Sequence, residues 1–133
     1  MNKPQSAREA AFGVLHAVCR SNAYSNLSYG PLADLSEPDK ALARTIVKGV
    51  LEKQRLLDKL LEPTVRKEPE KDVRILLRIG LYQILFLDRV PDSAACNETV
   101  QLAKARFGRP RADFVNAVLR AAVRDKEHLF RII

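Results

Sequence analysis

Cysteine is scarce in this 133-residue chain: there are two, Cys19 and Cys96, and they form no CxxC pair. A disulfide framework or a cysteine-based zinc site is therefore not expected, and the usage fits a reducing compartment. Glycine (5) and proline (7) are also few, and no stretch is of low complexity. That excludes collagen-like, linker-like and repeat architectures. The glycines are scattered, so neither a GxGxxG loop nor a P-loop exists. His16 and His128 have no cysteine or carboxylate at a diagnostic spacing, so neither a metal nor a catalytic pair is expected. Long hydrophobic runs are missing as well. The most apolar one, Ile75 to Leu87, is interrupted by Arg78 and Gln83 and falls short of the roughly 20 residues that cross a bilayer. Met-Asn-Lys-Pro-Gln-Ser at the N-terminus has no apolar core of a signal peptide. The expectation is a cytoplasmic protein with no membrane partner.

What is present is apolar and basic. Hydrophobic residues make up 47%, which fits a globular chain, and the length suits a single domain over residues 1–133. Such a domain buries roughly two-thirds of its unfolded surface and needs no metal or disulfide to hold it. Lys and Arg number 23 against 16 Asp and Glu, a net charge of +7, with pI near 9.7. That balance favours a polyanionic partner. Arginine is the commoner cation, and its planar fork suits phosphate.

The periodicity is helical nearly throughout. Ala7, Ala10, Ala11, Val14, Leu15 and Val18 make one stripe, predicting a helix over about 5–20. Residues 21–37 read as a loop with one short turn, pinned by Leu27, Leu32 and Leu35. Ser36 can cap the next helix, with Pro38 in its first turn. Its buried stripe is Leu42, Ala43, Ile46, Val47, Val50 and Leu51; a break near 54 precedes Leu56, Leu57, Leu60 and Leu61. Val73 to Leu87 is apolar on almost every face and belongs at the centre of a bundle, with Gly80 permitting a close crossing. A further helix runs from Asp92 or Ser93 to Phe107, with Gly108 as a left-handed cap, and another starts near Pro110. No window reads as a strand. The fold class is all-α, with five to seven helices.

Lys104, Arg106, Arg109 and Arg111 crowd a helix–helix turn, with no acid between Glu98 and Asp113. Convergent cations on a rigid corner, beside free backbone N–H groups at a helix start, suit phosphate binding. The alternative is a solvated charged corner. Lys3 and Arg8 form a second candidate at the start of the first helix. The row Lys40, Arg44 and Lys48 is weaker, because Glu37, Asp39 and Glu52 flank it. His16 is expected to be half-buried or on the surface, and both cysteines to act as small buried hydrophobes. Asn97 and Asn116 fall near the core faces of their helices, where a satisfied hydrogen-bond network is the expected role.

Several segments are similar to the NusB family. They are Leu76-Leu77-Arg78-Ile79-Gly80-Leu81-Tyr82-Gln83-Ile84-Leu85, Arg89-Val90-Pro91, Asn97-Glu98-Thr99-Val100 and Phe114-Val115-Asn116-Ala117-Val118-Leu119-Arg120. The likeness extends to Ala7–Val18, Tyr24-Ser25-Asn26 and Gly49-Val50-Leu51. Gln83 after Tyr82, and Val90-Pro91 before an alanine-rich helix start, resemble the NusB-like N-terminal domain of bacterial rRNA cytosine-5 methyltransferases more than the free antitermination factors. The resemblance implies two small three-helix subdomains and binding of RNA, rRNA in that branch. It also implies RNA-facing starts of the first and last helices. Carried onto this sequence, these are Lys3, Arg8, Arg111 and Phe114, whereas Lys104, Arg106 and Arg109 enter on charge alone. The methyltransferases' glycine loop and Pro-Cys nucleophile have no counterpart, since neither Cys19 nor Cys96 follows a proline. No catalytic residue, cofactor or metal is therefore expected. The leading expectation is a non-catalytic RNA-binding module working beside a methyltransferase domain. An antitermination factor that binds nascent RNA with a ribosomal protein, and a helical protein-interaction module, are the alternatives.

Overall fold

Ser6-Ala7-Arg8-Glu9 opens the first helix with a side-chain cap. The Glu9 backbone N–H donates to Ser6 Oγ at 3.1 Å, supplying a donor that the first turn leaves without a helical partner. The computed structural model describes residues 6–21 and 29–133. Within them lie six α-helices: α1 Ala7–Ser21, α2 Glu37–Leu61, α3 Lys71–Phe86, α4 Asp92–Phe107, α5 Arg109–Arg124 and α6 Lys126–Ile132. A 3-10 turn, Gly30–Leu32, precedes α2. No strand occurs among the described residues. Leu27 and Lys3 lie outside them.

Ser36 caps α2, accepting from the Asp39 backbone N–H, and Pro38 sits in the first turn. The expected break falls at Lys53, whose φ of −111° and ψ of 16° leave the helical region. The chain bends there, and both halves bury a stripe: Ala43, Ile46, Val47 and Val50 before the bend, Leu57, Leu60 and Leu61 after it.

The all-apolar segment is α3, and it occupies the centre. Eleven of its residues are buried, from Val73 to Leu85. It packs against α1, α2, α4 and α5, so the two groups of three helices, α1–α2–α3 and α3–α4–α5, share it. Side-chain links give the directions. Arg8 meets Gln83 while His16 meets Asp72, so α1 runs antiparallel to α3. Arg111 meets Glu70 while Gly80 faces Leu119, so α5 runs parallel to it. A Cβ at Gly80 would fall 2.5 Å from Leu119 Cδ1, which is the close crossing expected there.

Three details differ from the sequence reading. Gly108 has the positive φ of 89° that favours glycine, but its ψ of 173° is extended, so it is not a left-handed helical cap. The helix expected from near Pro110 ends at Arg124, and a short further helix, α6, which the sequence reading did not single out, follows Asp125. Asn97 is exposed and Asn116 half-buried, so neither lies in the core. Both amide oxygens instead accept from Arg120: Nε to Asn116 at 3.2 Å and Nη2 to Asn97 at 2.7 Å. A long arginine takes up both amides at the surface between α4 and α5.

Candidate nucleic-acid interface

Arg8 is held from inside the bundle. Gln83, fully buried in the otherwise apolar wall of α3, accepts from Arg8 Nε at 2.8 Å and donates through Nε2 to the Ile79 carbonyl at 3.0 Å. The amide therefore has a donor and an acceptor satisfied, which is what makes a buried glutamine tolerable here. The terminal nitrogens of Arg8 have no acid within ion-pair distance among the described residues. Position 83 is thus a positioning residue for a cation, which the interruption of an apolar run hinted at but could not assign.

The basic corner at 104–111 does not converge on one point. Arg106, near the end of α4, turns back to α1, where its guanidinium lies 5.1 Å from the Phe12 ring centroid and 3.9 Å from Glu9 Oε2. Phe12 in turn meets Phe107 edge-on at 6.1 Å and stacks on His16 at 5.7 Å. His16 Nδ1 sits 2.9 Å from Asp72 Oδ1. Arg111 points the other way, to the entry of α3: its Nε donates to Glu70 Oε1 at 2.7 Å and its Nη1 to the Phe107 carbonyl at 3.4 Å. Lys104 and Arg109 stay exposed on the corner. Lys104 has no acid partner among the described residues, and Arg109 reaches Asp113 only at 4.0 Å, with both side chains largely in water.

Phe114 follows one turn after Arg111 and is one of four large exposed apolar side chains among the described residues. It lines an open cleft with Val73, Pro69 and Pro110 as further apolar wall and Lys67, Glu68, Glu70 and Arg111 as polar rim. From Glu70 to Gln83 is about 20 Å along the axis of α3 at 1.5 Å per residue. Arg8 and the Phe114 cleft therefore stand at opposite ends of α3, with Arg106 and Phe12 between them. The sequence offered the 104–111 corner and the Lys3–Arg8 start of the first helix as two candidates. The structure spreads them along the length of α3, with Lys104 and Arg106 on different faces of α4, and Lys3 lies outside the described residues.

Three other cations link elements of the fold. Arg78 makes a two-point pair with Asp58 at 2.9 and 2.8 Å, and Arg74 does the same with Glu68 at 3.2 and 2.7 Å, tying α2 and the 62–70 segment to α3. Lys126 binds Asp92 at 2.9 Å, tying α6 to the start of α4. Glu68 and Glu70 are the residues that sequence reasoning missed, and no spacing signal marks them: Glu70 meets its partner 41 positions away.

Nothing here assembles as a nucleophile–base pair. Burial pushes the Cys96 thiol above its ordinary value, which makes it a poorer nucleophile. No group of three His, Cys, Asp or Glu among the described residues could hold a metal ion. No helix among them is long and apolar enough to cross a membrane.

Residues 5–124 match the NusB family. The chain is 37% identical over 129 residues to a protein named probable ribosomal RNA small subunit methyltransferase B from Synechocystis, and equally to its namesake in Bacillus subtilis. Both alignments cover 92% of this chain but 29% of the relative, so the chain spans under a third of the length of those relatives. It is 35% identical to the transcription antitermination protein NusB of Lacticaseibacillus casei, with 90% of this chain and 93% of that protein aligned. A helical bundle centred on α3, with the family's match running through five of its six helices, places the chain in the NusB family.

Proposed function

We propose that the chain is a non-catalytic, cytoplasmic RNA-binding module that grips rRNA while a separate domain performs methyl transfer. The observation that supports this reading is the set of cations at both ends of α3, Arg8 and Arg106 toward α1 and Lys104 and Arg109 on the α4–α5 corner, with Phe114 exposed beside that corner. Single-strand binding combines a cationic path with an aromatic face on which a base stacks. The similarity to proteins named as ribosomal RNA methyltransferases supplies the class of RNA. Lys3, which lies outside the described residues, belongs to the same reading by family resemblance alone. Arg111 has a different part from the one its charge suggests, since Glu70 and the Phe107 carbonyl already hold its guanidinium.

A second reading, an antitermination factor acting with a ribosomal protein, rests on the near full-length match to the protein named NusB. Titration with ribosomal proteins in the presence and absence of RNA separates the two.

The test of RNA binding is the combined Lys104→Ala and Arg109→Ala variant. Both side chains are exposed, so stability should stay within about 0.5 kcal/mol. Affinity for single-stranded RNAs of different sequence should fall alike, because phosphate contacts carry little sequence information. Each lost contact should flatten the plot of log affinity against log salt by about 0.7. Unchanged affinity and slope would remove this corner from the interface.

A further inference from the structure

Glu70 is an acid at the mouth of a surface proposed to bind a polyanion, which is the wrong charge for a phosphate contact. It is also fixed in place. Arg111 reaches it with two nitrogens, Nε at 2.7 Å and Nη2, and both go to Glu70 Oε1. Oε2 has no partner among the described residues. The pair is solvent-exposed on both sides, 46% and 62%, so it contributes little to stability. Its consequence is geometric: one carboxylate oxygen is taken and the other is left as an acceptor on the rim of the cleft. The cleft holds about 490 Å³, within the roughly 300–1,000 Å³ range of small-ligand sites. Phe114, Val73, Pro69 and Pro110 give it apolar walls suited to the face of a base, and Glu68 on the same rim is already occupied by Arg74.

We infer that this cleft receives an unpaired guanine, stacked on Phe114 and read on its Watson–Crick edge by the carboxylate of Glu70; the inference rests on the RNA-binding reading above. A carboxylate only accepts hydrogen bonds. Guanine presents two adjacent donors on that edge, N1–H and the N2 amino group, which the two lone pairs of the open Oε2 accept. Uracil offers one donor flanked by two carbonyl oxygens, which the carboxylate repels. Arg111 is a positioning residue: it fixes the carboxylate and spares it from pairing with a phosphate-bound cation elsewhere.

The experiment measures affinity of the 133-residue chain for short oligouridines carrying a single guanosine, inosine or uridine at the same position. Inosine keeps N1–H and lacks the N2 amino group, so it isolates the second hydrogen bond. Guanosine should bind about tenfold tighter than uridine, the scale of one good two-point contact, with inosine between. In Glu70→Gln the three should agree within about twofold, with overall affinity kept or raised because a negative charge has gone. Arg111→Lys, which keeps the charge but not the two-point hold, should lose part of the preference. Equal affinity of the unsubstituted chain for all three overturns the guanine site while leaving RNA binding intact. A preference that survives Glu70→Gln overturns it too. Failure to bind any oligonucleotide overturns the RNA reading and this site with it. The comparison among oligonucleotides on the unsubstituted chain decides the matter even where a variant folds poorly.

Discussion

Thr99 carries the one buried side-chain oxygen or nitrogen without a hydrogen-bond partner among the described residues. It is fully buried in α4, inside the segment Asn97-Glu98-Thr99-Val100. A hydroxyl left unpaired in the core costs about 1–3 kcal/mol. Thr99→Val keeps the shape and removes the hydroxyl, so the variant should be more stable by about 1 kcal/mol. Urea melts of the two chains check this, and a loss of stability would mean that the hydroxyl has a role in the fold. The two asparagines nearby show why single residues are hard to place from a sequence. Spacing puts Asn97 and Asn116 near a core-facing angle, but whether a helix face is covered at that height depends on the neighbour. Here Arg120 reaches across and meets both at the surface.

At the scale of elements, α2 and α3 meet through a glycine. The phenol ring of Tyr82 lies over Gly49, where a Cβ would fall 1.9 Å from Tyr82 Cζ. The ring also stacks on Phe86 at 5.5 Å, with Lys53 Nζ 4.8 Å from the Phe86 centroid. Gly49→Ala gains about 1 kcal/mol of helix propensity, yet the added methyl has no room. Overpacking of this kind typically costs about 1–3 kcal/mol and pushes helices apart. The variant should be destabilised by at least that range, and the penalty should shrink when Tyr82→Leu is combined with it, a non-additivity that thermal melts read directly. The extents of α2 through α4 and the start of α5 were legible because each has a capping residue, a breaker or a continuous apolar stripe. Which glycine faces which side chain was not, because the crossing of two helices is decided by how their ridges settle.

The whole molecule should lose stability in alkali, and the sign follows from two buried groups. Burial raises the Cys96 thiol above its ordinary 9.0, with Arg120 lowering and Asp92 raising it further. Burial, then the charge of Glu52, raises the Tyr82 phenol above 10.0. Below about pH 9 both groups are protonated whether the chain is folded or not, and their contribution to stability is complete. Above 9.0 for the thiol and 10.0 for the phenol, the unfolded chain has lost protons that the folded chain keeps. Stability therefore declines with rising pH through that window. Urea midpoints at about pH 8 and about pH 10.5 measure the fall, and Cys96→Ala should reduce its first part. A flat profile would mean that neither group is sheltered in solution.

The sequence by itself determined the helical class, the helix that fills the centre and the basic character of the surface. Each of these is written in local order: the period of apolar residues, the caps and breakers, and the sum of charges. It also carried the family resemblance, since that depends on residues in order along the chain. Tertiary structure alone decided which cations meet an acid. Arg78, Arg74 and Arg111 look equivalent to Lys104 in a list of charges, but in the fold each meets an acid, from six positions away for Glu68 to 41 for Glu70. It alone turned Gln83 from an interruption into the support of Arg8, and Glu70 from a loop acid into one wall of a cleft. The reason is that an ion pair or a cleft depends on distances across the bundle, and those exist only once the helices have packed.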